Sequence, residues 1–380
     1  MKTIFTLIIC LLITTSLFAQ KTGNAREVPF QITLIPPLGT NGIHSGNTIN
    51  KFSLNIIGGY AAGLNGVEFG GFANINRDFM HGVQFAGFGN ITNGEALGVQ
   101  FAGFGNINSL ASEAVQFAGF ANITNGSNNG FQAAGFGNFI RGESKIVQAA
   151  GFGNFSHSIL GAQMAGFGNF ASGKVKGAQI AGFGNFALEV EGAQIAGFIN
   201  TAKSVDGIQI GVLNVADTVK NGIPIGVLSV VRNGYREFEI GVSEGLNNYA
   251  SFKIGVKQFY NIFSVGMQYL SDQFRWGVGY GIGTHLIYSE DFKVNIETMS
   301  YYINDGRHWS KYYNGLQQLK FTFARSLSEN VSLFAGPTFN LMVTDYPGTG
   351  DFAPYHFVSH RGNNTYLQGW IGFNAGIRIR

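Results

Sequence analysis

Apolar and polar residues alternate with a period of two inside a phrase that this chain repeats many times. The segment GVQFAGFGNI at residues 82–91 returns unchanged at residues 98–107, and related copies follow at intervals of 15 or 16 residues. In ten of the eleven copies a polar residue, nearly always Gln, stands between two apolar residues, as Gln84 stands between Val83 and Phe85. Alternation of this kind predicts a β-strand in every copy.

The short period predicts how the copies assemble. A unit of 15 or 16 residues cannot bury a core alone and must stack on its neighbours, so residues 63–231 are predicted to form a β-solenoid. The apolar residues around the Gln and after the Asn are expected to fill its interior. Their volumes compensate, because Ala133 and Ala149 are paired with the larger Phe139 and Phe155, as close packing requires. The Gln row is then either a structural amide stack or an exposed, flat binding face.

The constant Gly and Asn residues of the repeat have a structural explanation. Gly permits a sharp bend and Asn tolerates a tight turn. With coils about 4.8 Å apart, equal amide side chains hydrogen-bond along the stack. The predicted structural ladder contains Asn90, Asn106, Asn122, Asn138, Asn154, Asn169, Asn185 and Asn200.

An alternative makes each copy a β-hairpin of one continuous meander or barrel. A 16-residue hairpin has strands of seven or eight residues, whereas a strand that crosses a membrane needs about 9 to 11. The solenoid is therefore the preferred interpretation, and the meander stays open.

A different β pattern begins at Tyr235. Segments of about ten residues alternate between apolar and polar or small residues, which is typical of an outer-membrane barrel. The expected strands lie at about 235–244, 250–258, 261–270, 274–287, 292–303, 317–326, 331–343 and 369–380. Two further strands, FQITLI and NKFSLNIIGGY, are expected within residues 20–62, so that residues 20–62 and 232–380 together give a barrel of about ten strands. A soluble β-sandwich with one wet face would show the same alternation.

Charged residues on the polar side of these strands are expected to face the barrel lumen and to pair with one another, since charges buried in a small barrel must be compensated. They are Glu237, Glu239, Lys253, Lys257, Arg275, Lys293, Glu297, Lys320 and Arg378. A selective pore is the alternative. The long connections of the ten-strand arrangement fall on one side and the short turns SED and SEN on the other, as in outer-membrane barrels.

The N-terminus predicts export. Lys2, an apolar run and a small residue at Ala19 make residues 1–19 a secretory signal peptide, and the only cysteine, Cys10, lies inside it.

The net charge of +3 gives no basis for a nucleic-acid partner. The sequence offers no nucleophile, base and acid constellation. The chain is therefore not expected to be an enzyme, and no catalytic, cofactor-binding or metal-binding residue is predicted.

The phrase GVQFAGFGNI, its variant GIQIGVLNVADTVKNGIPIGVLSVV, and the flanking PPLGTNG and FAGPTFN resemble a family of exported bacterial surface-repeat proteins of spirochaetes and Bacteroidetes. The resemblance covers most of the chain after the signal peptide. It implies an exported protein of the cell surface or outer membrane whose function is uncharacterised, with no catalytic residues to assign. The tripeptide DTV is also similar to the O-glycosylation signal of exported Bacteroidetes proteins, which makes Thr218 a candidate site.

These patterns favour a non-enzymatic structural or interaction protein of the outer membrane or cell surface. Its expected partners are outer-membrane lipid and an envelope glycan or protein. The alternative is a module that binds glycan or another polymer through the repeat face or the loop 345–368, where Tyr355, His356 and Phe357 are the candidate residues.

Overall fold

The computed structural model describes residues 25–269, 274–306, 309, 312–345, 353, 355–362 and 365–380, and the predicted signal peptide lies outside them. Within this range the chain is almost entirely β-strand, with one short 3₁₀ helix at Gly42–Asn47. It combines a parallel β-solenoid of about 11 turns with a closed antiparallel barrel, so the predicted fold class is confirmed. No helix among the described residues is both long and apolar enough to cross a membrane. The chain divides into two compact units, with the boundary between Gly197 and Phe198.

The first unit contains the larger part of the solenoid. Its strands are β1 (Arg26–Ile35), β2 (Leu38–Gly39), β3 (Thr48–Asn55), β4 (Gly58–Gly70), β5 (Ala73–Ala86), β6 (Gly89–Thr92), β7 (Glu95–Ala102), β8 (Gly105–Asn108), β9 (Ser112–Ala118), β10 (Ala121–Thr124), β11 (Gly130–Ala134), β12 (Gly137–Ile140), β13 (Glu143–Ala150), β14 (Gly153–Ser156), β15 (Ser158–Ala165), β16 (Gly168–Ala171), β17 (Lys174–Ala181) and β18 (Gly184–Ala196). Strands of successive coils pair in parallel with a shift of one repeat, so that Gln84 lies opposite Gln100. The repeat unit is thus one coil and not a hairpin.

One coil consists of a longer strand, a tight Gly-Phe turn and a shorter strand. In the coil of β7 and β8 the turn is Gly103–Phe104. The longer strand bends at Gly98, where φ is +124° and an added Cβ would lie 2.0 Å from the carbonyl oxygen of Gly82 in the coil below. A side chain has no room in that conformation, which explains the Gly two residues before the Gln.

The prediction that residues 20–62 supply two barrel strands is wrong. β1 pairs in parallel with β3, and β3 pairs in parallel with β4, where Ser53 lies opposite Glu68. These strands are therefore the first coils of the solenoid. They alternate apolar and polar residues as barrel strands do, so alternation alone could not assign them to one sheet or the other.

The second unit begins with the last coils, whose strands are β19 (Ile199–Ile210), β20 (Leu213–Val219), β21 (Ile223–Ile225) and β22 (Leu228–Val231). The barrel follows with β23 (Tyr235–Ser243), β24 (Asn248–Val256), β25 (Phe259–Gln268), β26 (Arg275–Tyr288), β27 (Phe292–Asp305), β28 (Asn314–Ser326), β29 (Val331–Thr344), β30 (Val358–Arg361) and β31 (Tyr366–Ile379). Neighbouring strands are antiparallel, and β31 pairs with both β29 and β23, which closes the barrel. The short β30 pairs with β31 alone.

The closed barrel has eight strands instead of the predicted ten, because the two N-terminal candidates belong to the solenoid. Its bounds agree with the predicted segments to within a few residues. The connections at 257–258, 289–291 and 327–330 are short and lie at one end, where the chain enters through 232–234. The strands joined by the longer connections, β27 to β28 and β29 to β31, have their linked ends at the opposite end.

Within the second unit the barrel covers the end of the last coil. The backbone N–H of Ser229 donates to Oδ1 of Asn261 in β25 at 2.8 Å, and Nδ2 of Asn261 donates to the carbonyl oxygen of Gly226 at 2.9 Å. A terminal coil would otherwise present unpaired backbone groups to other chains. Asn261 therefore provides hydrogen-bond partners for two backbone groups of the terminal coil.

Candidate functional site

The Gln row lies in the interior of the solenoid. Every Gln from Gln84 to Gln209 in this row is fully buried. Within the first unit each side chain donates from Nε2 to Oε1 of the Gln one coil earlier, as Gln100 does to Gln84 at 2.8 Å and Gln116 does to Gln100 at 2.9 Å. The exposed binding face that the sequence left open for this row is therefore absent from the described coils.

The Asn residues form a second buried row that donates in the opposite direction. Asn90 donates from Nδ2 to Oδ1 of Asn106 at 2.9 Å, and its second hydrogen goes to the carbonyl oxygen of Phe101 at 2.9 Å. The same pair of bonds recurs at Asn106, Asn122, Asn138, Asn154, Asn169 and Asn200. Asn185 accepts from Asn169 and donates to the carbonyl oxygen of Ile195. Each Asn thus ties one coil to the next by both side chain and backbone.

Glu68 ends the Gln row at its N-terminal side. Its Oε2 accepts from Nε2 of Gln84 and from Nδ2 of Asn76, both at 2.8 Å, while Oε1 accepts from Nδ2 of Asn55 at 2.9 Å. A row in which every amide donates to the preceding coil needs a pure acceptor at its beginning, and a carboxylate is one. Burial raises the pKa of the Glu68 carboxyl, and the amide donors oppose that shift.

The apolar residues predicted to fill the solenoid interior face outward, so that prediction is wrong. Phe85 and Phe101, which follow the Gln residues, are exposed, and so are Phe88 and Phe104 at the turns. In a strand, neighbouring side chains point to opposite faces, so a buried Gln places both of its neighbours outside. The interior contains the two amide rows together with buried apolar residues such as Leu64 and Met80, and the Phe residues of the repeated phrase form the surface.

Two outer rows of apolar side chains run along the first unit. The row after Gln, called the face row, consists of Phe69, Phe85, Phe101, Phe117, Ala133, Ala149, Met164 and Ile180. The row at the Gly-Phe turns, called the corner row, consists of Phe72, Phe88, Phe104, Phe120, Phe136, Phe152, Phe167 and Phe183. Corner rings lie nearly parallel with centroids 4.6 to 4.9 Å apart. A shallow apolar groove of about 1250 Å³ follows the face row from Leu54 to Ile180.

The barrel interior contains most of the charges predicted to face the lumen. Glu237, Glu239, Lys253, Arg275, Lys293, Glu297, Lys320 and Arg378 are all buried. Lys257 differs, because it is exposed in the turn after β24, with Nζ 3.7 Å from the centre of the Tyr288 ring.

The buried charges of opposite sign meet in one network. Nζ of Lys253 lies 2.6 Å from Oε2 of Glu239 and 2.6 Å from Oε1 of Glu297, and Nε of Arg378 lies 2.6 Å from Oε2 of Glu239. The hydroxyl of Tyr260 donates to Oε1 of Glu297 at 2.7 Å. These carboxylates are bound by cations and by a hydroxyl donor and are almost fully buried, so the opposite charges compensate one another inside the barrel.

The barrel exterior is apolar over most of its strands. Exposed apolar side chains include Phe238, Ile240, Val242, Phe252, Phe263, Val265, Val278, Ile282, Leu319, Phe323, Leu333, Phe339, Leu341, Ile371, Phe373 and Ile377. The barrel therefore resembles the solenoid coils in having polar and charged side chains inside and an apolar exterior, although its interior also contains a cluster with Ile262, Met299 and Trp370.

The loop residues proposed from the sequence lie at the end of the barrel with the longer connections. Tyr355 and Phe357 are exposed, at 55% and 65%. The backbone N–H of Phe357 donates to the carbonyl oxygen of Gly369 at 3.0 Å, and His356 Nδ1 lies 3.1 Å from Nε2 of Gln368. The hydroxyl of Tyr355 also donates to the carbonyl oxygen of Ile371 at 2.5 Å. This part of the loop is held against β31, and its two aromatic rings remain exposed on that strand.

The remaining candidate is Thr218 in β20. It is half-buried, and its Oγ1 accepts a hydrogen bond from Nδ2 of Asn233 at 3.2 Å. Across the described ranges no group of three or more His, Cys, Asp or Glu residues could hold a metal ion.

The sequence contained a signal for the inverted interior. The Gln and Asn positions are nearly constant from copy to copy, whereas the positions beside the Gln vary among Val, Ala, Ile, Phe and Met. A hydrogen-bonded ladder requires one residue type in every coil, while an outer position needs only to be apolar. A polar residue that is constant from copy to copy therefore indicates a buried ladder, whereas the equally constant Phe of the turns is exposed.

Comparison of the chain with protein-family models, with curated proteins and with solved structures finds no match.

Proposed function

We propose that this chain is a non-enzymatic outer-membrane protein, exported to the cell envelope, in which the eight-stranded barrel is the membrane anchor and the solenoid is a structural or interaction scaffold. The observation that carries the proposal is the polarity of the barrel. Phe263 and Val265 point outward from β25, while Lys253, Glu297 and Arg378 are buried inside. A soluble barrel of this size would reverse that arrangement.

The connections of the barrel support the same proposal. An even number of strands, short turns at one end and longer loops at the other are features of bacterial outer-membrane barrels, whose short turns face the periplasm. Within the second unit, the last coil leads into the barrel at the end with the short turns, through residues 232–234. We therefore place this last coil on the periplasmic side. The resemblance to exported surface-repeat proteins agrees with an envelope location.

The test compares an arginine on the barrel exterior with one in a turn. Phe263 lies in the middle of β25 and pairs with Phe252 and Tyr280, whereas Leu327 lies in the turn after β28 and is also exposed. In lipid, F263R is expected to destabilise the folded barrel by about 2–4 kcal/mol and L327R by about 0–1 kcal/mol. The measurement is urea unfolding of the full chain in vesicles, read by heat-modifiable migration on a gel.

The wild-type protein is expected in the outer-membrane fraction. Recovery as a freely soluble periplasmic monomer, or equal stability of F263R and L327R, would contradict the membrane anchor.

The loop 345–368 supports a second candidate function, the binding of a glycan or other polymer. The supporting observation is that Tyr355 and Phe357 are exposed and are held on β31 by the backbone of Phe357 and the hydroxyl of Tyr355. The wild type is first tested for binding to a panel of glycans. The triple variant Y355A/H356A/F357A is expected to lose binding to the glycan that the wild type binds. H360A, in the exposed β30, is the matched control and should bind as the wild type does. Equal binding by the triple variant would remove this function from the loop.

A further inference from the structure

The outer surface of the first unit is apolar on two sides of each coil and on the turn between them. In the coil of β5 and β6, Phe85 points outward from the longer strand, Phe88 lies at the turn, and Ile91 is half-buried on the outer side of the shorter strand. The Gln and Asn side chains occupy the interior of the same coil. An amide core inside an apolar surface reverses the arrangement expected of a rod in water.

We propose that this apolar surface is embedded in lipid, so that the solenoid lies along a bilayer with the face and corner rows among the acyl chains. This inference goes beyond the proposed function, which requires only the barrel to be in the membrane.

The size of the surface is the first argument. The twelve Phe residues of the face and corner rows are each 36% to 52% exposed. A Phe side chain has about 150–250 Å² of surface, so these rings alone expose roughly 1,000 Å² of apolar area. The largest apolar patch on a typical soluble monomer is about 300–600 Å². A surface of this size must be covered by something other than water.

The distribution of charge is the second argument. Between Gly66 and Ala202, each coil has a stretch of eleven residues that begins two residues before its Gln, or before Glu68, and ends eight residues after it. The only charged residue in these stretches is the buried Glu68. All other charges of these coils lie in the remaining four or five positions, as Glu95 and Lys176 do. The charges of these coils therefore lie on one edge beside a long uncharged arc, although the edge positions 125–129 and 157–160 contain none. Such a separation of charged and apolar faces is found in structures that lie in a membrane interface.

Backbone hydrogen bonding is the third argument. In lipid every backbone polar group needs a partner within the protein. At the turn of one coil the N–H of Gly103 donates to the carbonyl oxygen of Ala86 at 3.1 Å, and those of Phe104 and Gly105 donate to that of Phe88 at 2.8 and 3.1 Å. The same pattern recurs in the following coils. The apolar turns thus have no free donor among these residues, although turns in soluble proteins are commonly solvated.

The extent of the apolar surface around the coil favours lipid over a second protein copy. The surface continues from the longer strand around the Gly-Phe turn to the shorter strand. A folded partner packed on one side of the coil leaves the other side uncovered, whereas acyl chains can cover both sides and the turn. Lipid is therefore the occupant that fits the whole surface.

The test measures the surroundings of a fluorescent label on the full chain in phosphatidylcholine vesicles. Cys10 is replaced by Ser, and single cysteines labelled with bimane are placed by F104C in the corner row, E95C on the charged edge and F263C on the barrel exterior. F152C, a second corner-row site, guards against local misfolding at residue 104. Quenching by nitroxide-labelled lipid reports contact with acyl chains, and quenching by iodide reports contact with water.

We expect nitroxide-labelled lipid to quench the labels at 104 and 152 at least twofold more than the label at 95. Iodide is expected to quench the label at 95 more than the labels at 104 and 152. The inference would be overturned if iodide quenches the labels at 104 and 152 and nitroxide-labelled lipid does not. Shielding of both labels from both quenchers would also overturn it and would assign the surface to a second copy of the chain. The label at 263 tests the proposed function separately, because it should be quenched by lipid whatever the corner row does.

Discussion

At the scale of single residues, the solenoid core depends on two amide rows that donate in opposite directions. Gln100 donates to the preceding coil and Asn106 to the following one, so the aligned side-chain dipoles of the two rows oppose each other. A buried amide costs free energy when it lacks partners and stabilises the fold when all of its partners are present. A coil without the Gln or the Asn would leave the amides of its neighbours without a partner. This accounts for the constancy of both residues from coil to coil.

Replacement of one ladder Asn should destabilise the solenoid strongly. Asn122 donates to Oδ1 of Asn138 and to the carbonyl oxygen of Ala133, both at 2.9 Å, and accepts from Asn106. In N122A three buried groups lose a partner, and at about 1–3 kcal/mol for each group the expected loss is at least about 3 kcal/mol. N125A changes an exposed turn residue of the same coil and should cost less than about 0.5 kcal/mol.

Hydrogen exchange of the coils around residue 122 measures this difference. Equal protection of those coils in N122A and N125A would show that the Asn row does not hold the coils together.

Glu68 should make the stability of the solenoid dependent on pH. Burial raises the pKa of its carboxyl in the folded protein. A raised pKa means that the stabilising contribution is complete below the ordinary carboxyl pKa of about 4.3 and is lost as the pH rises through the raised value. The free energy of unfolding of the wild type is therefore expected to fall over that interval relative to E68Q, which has no titrating group there.

The measurement is the melting temperature of both proteins in detergent from pH 3.5 to 8. Only the slopes are compared, because E68Q also places an amide donor where a carboxylate oxygen accepts hydrogen bonds. Parallel curves would mean that the Glu68 carboxyl is not perturbed by its burial.

At the scale of the coil, the two Gly residues of AGFGN have different roles. An added Cβ at Gly166 would lie 2.2 Å from the carbonyl oxygen of Gly151 in the preceding coil, a contact that backbone atoms cannot relieve. An added Cβ at Gly168 would lie 3.1 Å from the carbonyl oxygen of Gly184, and two coils already have Ala at this position, as in Ala121.

We therefore expect G166A to lower the free energy of unfolding by more than about 2 kcal/mol and G168A by less than about 1 kcal/mol. Because both substitutions add one methyl group to the same coil, G168A controls for composition and hydrophobicity. Chemical unfolding followed by circular dichroism gives both values. A G166A protein as stable as G168A would refute the close contact between the turns.

The coil also shows which part of the fold the sequence could predict. The 15 or 16 residue period and the alternation predicted parallel coils with strands at the Gln, and the structure has them. Alternation defines two faces of a strand but does not state which face is buried. The volume compensation between Ala133 and Phe139 predicts that both side chains share the interior, whereas both are half-buried on the outer side of the coil.

At the scale of the whole molecule, the solenoid and the barrel share one polarity although they differ in every other respect. One is parallel and one is antiparallel, yet both bury rows of charged or amide side chains and expose most of their Phe side chains. The strand bounds of the barrel followed from local sequence. The number of barrel strands could not be predicted in this way. It depends on whether β1 pairs with β3 in the solenoid or joins the barrel beside β23, and local sequence does not decide between these pairings.

The buried charge network should be the strongest single link between distant barrel strands. Lys253 in β24 contacts Glu239 in β23 and Glu297 in β27. K253A leaves these carboxylates without that cation in a buried lumen, and loss of one partner of a buried ion pair costs about 3–5 kcal/mol. K257A removes a charge from the exposed turn four residues later and should cost about 1 kcal/mol or less, since Lys257 only covers the ring of Tyr288.

The double variant K253M/E297Q distinguishes charge from packing. It removes one cation and one anion together, fills the lumen with similar volume and leaves the contact of Arg378 with Glu239 at 2.6 Å intact. We expect it to recover at least half of the stability that K253A loses, measured by urea unfolding of the full chain in vesicles. If K253A unfolds at the same urea concentration as K257A, the charges of the lumen do not hold the barrel together, and its stability must come from the strand pairing and the apolar exterior alone.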